Sequence, residues 1–541
     1  MSDMGRRLVP PTSLKKPSAS AMVLVLLAVY ALLVAADFVL RYNGVWVEQD
    51  TTELTLATRD MYESGALVPE REVYAHGFTY QAVAVFLVNV CGIPVETLQS
   101  VVYPFALGLI GICALAVFRL LTGDATAGAL AALLLCMQPE LLFVTMRGSH
   151  EKFTWVLVMI SILLLVKSFS YVGRWSAFLA CILLSYLAIS ALISANVFFA
   201  SSFTFALAIS LIGGWILVAR RWKEQQEFGR NLGRLVYVVV SCSILIYVFI
   251  FHLYRPAVLM LDMLGYGWDK LAVLLFNFDL RDKVATSAPY AYVAYAWLSP
   301  QVYLGLSMFN WMIVLVSLGG WLHQAYTMFV RKERLPLARV LLWLLYAAFA
   351  GQLALSMLAD QYSLVGTNLQ VRLFPAVMLF GIPLAVVELK RLLDLAQPRA
   401  RLRRVLTVSL LVLAVWFSGA SILKATADPV VSNKWLFYTR GEEGALVWTE
   451  GNIRLSSIWV GYDERLRQLA SLHADWQHPS GNGYDILSLD PGTRYVLFSD
   501  TVRDQAVRMK ESLPDVRGAH RVYDGGRVQI YQYRPKTPYQ R

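Results

Sequence analysis

The chain has 541 residues, of which 57% are hydrophobic and only 16% charged, and this composition excludes a water-soluble globular protein. Its formal net charge of +11 raises the question of nucleic-acid binding. However, the basic residues cluster in segments that flank apolar runs, a pattern that reports membrane orientation. We therefore expect an integral membrane protein with no nucleic-acid partner.

Eleven apolar runs are long enough to cross a hydrocarbon core, which is about 30 Å thick. Each is predicted to be a helix, because lipid offers no partner for unpaired backbone groups. The runs cover about 21–40, 99–120, 125–145, 153–170, 175–193, 198–219, 235–252, 301–329, 338–357, 374–389 and 405–422. The predicted fold is a polytopic α-helical membrane protein with about 11 transmembrane helices, followed by a small C-terminal α/β domain.

The orientation of the chain in the membrane is predicted from the position of the basic residues and from the odd number of spans. Residues 1–20 are predicted to be a cytoplasmic tail, because basic residues precede the first span. The first span is longer than the core of a cleaved signal peptide, so we expect it to be retained. The transmembrane domain would cover 21–422. With eleven crossings, the domain 423–541 would lie outside the membrane on the extracytoplasmic side.

The first outer loop, 41–98, contains two shorter segments. The stretch 51–64 is predicted to be a helix ended by Gly65. Residues 78–91 are apolar but only 14 long, so an interfacial or re-entrant helix is predicted. Were this segment to cross instead, every later loop would change sides and the basic loops would face outward, which the charge distribution opposes.

The second large outer loop and the tail are more polar. Residues 253–300 mix aromatic and charged side chains, which is compatible with a lid on the bilayer surface or with a passive connector. In the tail, a strand is predicted at 494–499 and a hairpin at 519–533 that turns at Asp524-Gly525-Gly526. Helices are predicted at 441–450, 462–475 and 501–512.

The first polar cluster follows the first span and contains Glu48, Asp50 and Glu53. A transferase needs a base that takes the proton of the acceptor, and a carboxylate at the membrane boundary suits this role. The alternative is structural, because Asp-x-x-Glu is a capping-box-like pattern and Asp50 could cap the helix 51–64.

The second cluster lies between two spans and contains Arg147, His150, Glu151 and Lys152. His150 and Glu151 are candidate ligands for a metal or an acceptor, and Arg147 or Lys152 for a phosphate. The alternative is a solvated turn in which Glu151 favours the positive end of the following helix.

The third candidate is Arg372, which precedes the tenth span at the outer boundary. A guanidinium there suits a lipid phosphate, because its planar fork forms charge-assisted bonds with phosphate oxygens. An interfacial anchor is the alternative. His76, in the first outer loop, is a weaker candidate for substrate binding.

The sequence contains no Walker loop, dinucleotide fingerprint, GxSxG elbow or metalloprotease helix. No nucleotide or nicotinamide cofactor is therefore expected, while a divalent metal stays open. The five cysteines lie in apolar segments and show neither a disulfide framework nor a metal-type spacing. They are predicted to fill the core.

With these clusters, residues 21–422 resemble the GT-C superfamily of membrane glycosyltransferases, which includes protein O-mannosyltransferases, aminoarabinose transferases and oligosaccharyltransferase catalytic subunits. The acidic segment with its helix ending near Ser64-Gly65 is similar to the first outer loop of the family. The run 140–155 is similar to its second acidic loop, although His150-Glu151 replaces the more usual Asp. The segment 371–384 is similar to its late Arg-aromatic-Pro stretch. A WWDYG-like run is absent from the sequence, unlike in a standard oligosaccharyltransferase.

The resemblance implies transfer of a sugar from a polyprenyl-phosphate donor to a protein, lipid or glycan acceptor on the extracytoplasmic face, with membrane lipids as further partners. It implies inversion, with Asp50 as the acceptor base, Glu151 as a second catalytic residue and Arg372 on the donor phosphate. The remaining candidates for substrate binding are Arg147, His150, Glu53 and His76. A transporter or flippase for a lipid-linked glycan is the alternative, although few ionisable residues lie at mid-span.

Overall fold

The computed structural model describes residues 19–42, 49–66, 79–146, 148–171, 174–221, 300–361, 369–395, 400–427, 440–453, 457–459, 493–500 and 515–532, with single residues at 233, 241, 244, 503 and 513. Several predictions lie outside this part of the chain. These are the loop 253–300, the helix 462–475, the span 235–252 apart from residues 241 and 244, and the helix 501–512 apart from Arg503.

The described helices are, in chain order, α1 (Ala19–Tyr42), α2 (Gln49–Ser64), α3 (Thr79–Cys91), α4 (Val95–Thr122), α5 (Ala125–Cys136), α6 (Pro139–Met146), α7 (Glu151–Ser170), α8 (Trp175–Ala195), α9 (Val197–Arg221), α10 (Pro300–Phe329), α11 (Leu337–Gln361), α12 (Leu369–Leu395), α13 (Ala400–Ala427) and α14 (Arg440–Asn452). Within the described residues, nine helices are long and apolar enough to cross a membrane. All nine coincide with predicted spans, so the polytopic membrane class is confirmed.

The predicted span 125–145 is not one straight helix. It consists of α5 and α6, whose axes differ by 63° at a break before Pro139. Proline lacks a backbone N–H and disfavours the helical conformation in the residue before it, so the hydrogen-bond ladder is interrupted here. Hydropathy did not indicate the break, because the residues on both sides are apolar.

The two short elements of the first outer loop form as predicted. Helix α2 ends before Gly65, which has a φ of +65° and so adopts the left-handed conformation that favours glycine at a helix end. Helix α2 begins at Gln49, so Asp50 lies in its first turn and not before it. Helix α3 has 13 residues, too few to cross a bilayer.

Helix α12 is the most enclosed of the spanning helices that the structure describes. It packs against α4, α5, α10 and α11, and 72% of its most apolar window is buried. Phe380, at its centre, stacks on Phe349 of α11 with 5.1 Å between the ring centroids. Since lipid is as apolar as these side chains, close packing must hold the bundle together.

Helices α4 and α5 approach each other closely at Gly128. A Cβ atom at this position would lie 2.5 Å from the backbone nitrogen of Arg119 and 2.8 Å from the carbonyl carbon of Phe118. Both obstacles are backbone atoms, which cannot move aside as a flexible side chain would. Only glycine therefore allows the observed approach, as in other close helix pairs of membrane proteins.

The connection between α4 and α5 is tied to the rest of the bundle by polar contacts. Asp124 caps α5 by accepting hydrogen bonds from the backbone N–H groups of Thr126 and Ala127, and it forms an ion pair with Lys390 of α12. The Nε of Arg339, on α11, donates to the Thr122 carbonyl at 3.0 Å. The Lys390 ammonium, together with the two N–H donors, lowers the pKa of the Asp124 carboxyl.

The C-terminal part contains α14 and a four-stranded sheet of β1 (Ser457–Trp459), β2 (Thr493–Ser499), β3 (His520–Asp524) and β4 (Val528–Gln532), in the order β1-β2-β4-β3. Strand β1 runs parallel to β2, and the other two pairings are antiparallel. Ala445 and Leu446 of α14 pack on Leu497, Val528 and Ile530. The predicted α/β character, the strand 494–499, the helix 441–450 and the hairpin at 519–533 are confirmed, whereas β1 was not predicted.

Replacing Gly128 by alanine is expected to destabilise the protein by about 1–3 kcal/mol, because the added methyl group overpacks the α4–α5 contact. Gly351→Ala in α11 is the matched control, since a Cβ there meets no described atom within 4 Å. Thermal unfolding of both purified variants in detergent measures the difference. Equal midpoints for the two variants would contradict the packing argument.

Asp124→Asn keeps a capping oxygen but removes the charge that faces Lys390. Because the pKa of Asp124 is lower in the folded state, its charge stabilises the fold above the ordinary carboxyl range and loses this effect as acid protonates it. We expect the variant to unfold at a lower temperature than the wild type at neutral pH and to approach the wild type in acid. If the gap in unfolding temperature between the wild type and the variant grew in acid, the charge of Asp124 would not be stabilising the fold in the way described.

Candidate active site

The two acidic clusters predicted in the first and second outer loops are joined by a buried hydrogen bond. The backbone N–H of Gly148 donates to the Thr51 hydroxyl at 2.8 Å. Thr51 directly follows Asp50 in α2, and Gly148 directly follows Arg147. The first turn of α2 and the loop before α7 therefore form one surface, although about a hundred residues separate them in sequence.

Two further side chains hold this loop in place. The Tyr80 hydroxyl of α3 donates to the Gly148 carbonyl at 2.9 Å and also contacts the amide oxygen of Gln99 in α4. A Cβ atom at residue 148 would lie 2.6 Å from both the Gln99 amide oxygen and the Thr51 methyl group. Glycine is thus required at this position, and three helices fix the loop from different sides.

The described part of the second cluster, residues 148–152, is not the solvated turn that was one of its two interpretations. Ser149, His150 and Lys152 are all buried, and Lys152 is only 1% exposed. The Lys152 ammonium lies 4.6 Å from the centroid of the Tyr103 ring, a cation–π geometry. The burial of Lys152 also makes it an unsuitable ligand for a phosphate that arrives from the membrane surface.

Aromatic packing supports the start of α7. The rings of Tyr80, Tyr103 and Phe153 meet edge to face, with centroids 5.6–5.8 Å apart. Such contacts are favourable beyond the area they bury. The first turn of α7 is therefore held by the same residues that hold the Gly148 loop.

Glu151 and His150 lie at this rigid point. Glu151 is the first residue of α7, where the partial positive charge of the helix end favours a carboxylate. Its Oε2 is 4.0 Å from Nδ1 of the buried His150. Glu151 is partly exposed, whereas His150 is enclosed, so Glu151 is the better placed of the two to meet a substrate.

Arg372 lies in the first turn of α12 and is exposed. Two residues further on, Phe374 lines a small cavity together with Trp155 of α7, which is one turn beyond Glu151. The start of α12 and the start of α7 are thus neighbours at one end of the bundle. The structure describes no ion pair between Arg372 and another described residue.

The other candidates are described only in part. The backbones of Asp50 and Glu53 lie in α2, but their side chains, like Glu48, His76 and Arg147, lie outside the described part of the chain. Within that part, no three His, Cys, Asp or Glu side chains lie together as a metal-ligand set.

Several residues that build this region were not predicted from the sequence. Thr51, Tyr80 and Gln99 are ordinary polar or aromatic residues that belong to no recognisable motif, and their roles depend on contacts between distant segments. For the break between α5 and α6, the sequence did hold one signal. The Gln138-Pro139 pair places a polar residue and a proline inside an apolar run.

Comparisons with known proteins identify the fold of the chain. No protein-family model and no curated protein matches the chain. Solved structures do match. The oligosaccharyltransferase of Archaeoglobus fulgidus tethered with an acceptor peptide is 11% identical, with a TM-score of 0.59, over 90% of this chain and 69% of that one.

A second structure, AglB from Archaeoglobus fulgidus in complex with an inhibitory peptide and a dolichol-phosphate, is 12% identical, with a TM-score of 0.56, over 98% of this chain and 76% of that one. ArnT from Cupriavidus metallidurans is 14% identical over 95% of this chain and 98% of that one, with a TM-score of 0.48. The chain is an integral membrane protein with the fold of GT-C glycosyltransferases. The resemblance stated from the sequence is confirmed at the level of the fold.

Thr51→Val is expected to weaken the junction between α2 and the Gly148 loop, because it leaves the buried N–H of Gly148 without its acceptor. The cost should be about 1–3 kcal/mol. Thr55→Val is the control, since Thr55 is equally buried but bonds only to the Thr51 carbonyl of its own helix. Thermal unfolding and hydrogen exchange at Gly148 measure the effect. Slow exchange at Gly148 in Thr51→Val would argue against the junction.

Proposed function

We propose that this protein transfers a sugar from a polyprenyl-phosphate carrier to an acceptor on the extracytoplasmic face of the membrane. The observation that carries the proposal is the buried contact of Thr51 with Gly148, which joins the segment of Asp50 to that of Glu151. The exposed guanidinium of Arg372 lies at the same end of the bundle. Carboxylates for an acceptor and a cation for a phosphate are thus available within one region.

In the proposed reaction, Asp50 accepts the proton of the attacking acceptor group as that group bonds to the anomeric carbon. The bond between this carbon and the phosphate oxygen breaks, and its electron pair stays on the lipid phosphate. Arg372 stabilises the negative charge that develops there. Attack from the side opposite the leaving group inverts the anomeric centre.

The remaining candidates support this chemistry. Glu151 is proposed as a second catalytic carboxylate that orients the acceptor, helped by its position at a helix N-terminus. Arg147, His150, Glu53 and His76 are proposed to contact donor or acceptor. The shared fold is consistent with a lipid-linked donor, because the AglB structure contains a dolichol-phosphate and a peptide.

The proposed arrangement in the membrane keeps residues 1–20 in the cytoplasm and places 423–541 outside. The basic residues of the segments between alternate spans support this orientation. In that arrangement, the domain formed by α14 and the sheet lies on the same side as the candidate site. It would offer a surface for an acceptor, as would the loop 253–300.

A transfer assay with a labelled polyprenyl-phosphate sugar tests the proposal. Asp50→Asn should lower turnover by about 10²–10⁴-fold, the usual contribution of a general base. Arg372→Ala should lower turnover and also weaken binding of the bare carrier phosphate. Glu63→Gln, at the exposed far end of α2, is the matched control and should keep wild-type activity.

The two catalytic variants must also fold, which their thermal unfolding midpoints will show. Wild-type turnover in both Asp50→Asn and Arg372→Ala would refute the assignment. Movement of a labelled lipid-linked sugar across vesicles without covalent transfer would instead indicate a transporter.

A further inference from the structure

The connection between α10 and α11 carries a group of cations that the proposed reaction does not use. Residues 330–336, here called the α10–α11 turn, contain Arg331, Lys332 and Arg334, and all three are exposed. The turn contains one acid, Glu333, whose carboxylate is 3.8 Å from the Arg331 guanidinium. Both partners are more than half exposed, and such surface pairs contribute little. The structure describes no ion pair between Lys332 or Arg334 and another described residue.

The turn lies at the end of the bundle opposite the candidate active site. The Ser317 hydroxyl of α10 donates to the Gly381 carbonyl of α12 at 2.8 Å. Further along both helices, Nδ1 of His323 is 3.2 Å from Oε2 of Glu388. The two helices therefore run side by side in the same direction, and α12 begins near Arg372. In the proposed orientation the turn faces the cytoplasm, where anionic lipids attract basic segments next to spans.

The backbone of the turn holds Lys332 in a defined conformation. Lys332 has a φ of +57°, and among the described residues it is the only one other than glycine with a positive φ. The N–H of Glu333 donates to the Thr327 carbonyl at 3.1 Å and so closes the end of α10. A residue with a Cβ atom is strained in the left-handed conformation, and glycine is the usual residue at such a helix end. The lysine thus keeps an ammonium group where the backbone alone would favour glycine.

Apolar side chains lie directly before these cations. Tyr326, Phe329 and Val330 are 48%, 39% and 62% exposed. They lie in or next to the last turn of a helix that is long and apolar enough to cross a membrane, where lipid chains surround it. The Arg331 guanidinium lies 5.6 Å from the centroid of the Tyr326 ring, which helps to hold it at this boundary. Phosphate-binding groups and an exposed apolar surface therefore follow one another in the order found along a phospholipid.

The chemistry of the turn distinguishes among possible ligands. Arginine and lysine form charge-assisted hydrogen bonds with phosphate oxygens. A free phosphate would meet the cations but leave the apolar side chains uncovered. A zwitterionic phospholipid would bring a cationic amine close to three cations. An anionic phospholipid without an amine matches both the charged and the apolar part.

We propose that the α10–α11 turn binds the headgroup phosphate of an anionic phospholipid. Lys332 and Arg334 contact the phosphate, while Phe329 and Val330 lie against the acyl chains. The lipid site is separate from the candidate active site, and its existence does not depend on sugar transfer. A lipid bound there connects the ends of α10 and α11 to the membrane surface.

The test compares two phospholipids with the same acyl chains. Dissociation constants of the full-length protein for phosphatidylglycerol and phosphatidylcholine are measured by native mass spectrometry in an uncharged detergent. The wild type should bind phosphatidylglycerol more tightly. Lys332→Gln and Arg334→Gln should each weaken this binding about fivefold, because each removes one cation near the membrane surface. Binding of phosphatidylcholine should not change.

Arg401→Gln and Arg404→Gln are the matched controls. Both remove the same charge from exposed arginines at the start of α13, away from the α10–α11 turn in sequence. The affinity for phosphatidylglycerol should stay at the wild-type value in these variants. If they weaken binding as much as Lys332→Gln and Arg334→Gln do, the lipid responds to the overall basic charge and the inference is overturned.

Lys332→Gly separates loss of the lipid site from damage to the fold. Glycine adopts the left-handed conformation without strain, so the unfolding midpoint in detergent should equal or exceed that of the wild type. The rise in midpoint on adding phosphatidylglycerol should be smaller than in the wild type, because the lipid stabilises the fold only as far as it binds. A rise of wild-type size in both Lys332→Gly and Arg334→Gln, with unchanged dissociation constants, would refute the site.

A soluble competitor distinguishes a lipid from a free phosphate. Glycerol 1-phosphate carries a phosphate but no acyl chains, so it should not displace phosphatidylglycerol when both are present at the same concentration. Equal competition would show a site for free phosphate and would overturn the lipid assignment.

Discussion

The approach of Gly148 to Thr51 and Gln99 is the constraint on which the candidate site depends. A hydrogen atom is all that fits at that Cα, since a Cβ atom would lie 2.6 Å from groups of two different helices. The Gly148 amide and carbonyl are both bonded to side chains of other elements, Thr51 and Tyr80. Because buried backbone groups need partners, these bonds fix the loop more firmly than apolar packing alone would. The backbone segments that carry Asp50 and Glu151 are thus joined through a residue with no side chain.

This polar region is built on an apolar bundle with α12 at its centre. Helix α12 carries Arg372 at one end and Lys390, the partner of Asp124, near the other. A site on rigid helices holds its groups more accurately than a site on free loops. In the proposed reaction, the position of Arg372 is therefore set by packing residues of α12 that do not contact a substrate. The cost is a few buried polar groups, such as Gln138, that an entirely apolar core would not contain.

Much of the fold followed from the sequence because a membrane imposes simple rules. Length and hydropathy predicted the nine described spanning helices, and turn chemistry at Gly65 and Asp524-Gly525-Gly526 predicted a helix end and a hairpin. The break before Pro139 was missed, because the average hydropathy of a window does not report an interrupted ladder. The site was predicted as three separate clusters. Their junction could not be predicted, since the Thr51–Gly148 bond links residues 97 positions apart and depends on tertiary packing.

The proline break has a mechanical consequence. Below it, Gly128 and the Asp124–Lys390 pair lock α5 to α4 and α12, so this half-span has little freedom to tilt. Above it, the short α6 leads into the Gly148 loop. Helices bend most readily where their hydrogen-bond ladder is interrupted. The loop at the end of α6 is itself held by Thr51 and Tyr80, so the two halves of the span are each anchored at their far ends, and the change of direction of 63° between them leads the chain to the Gly148 loop.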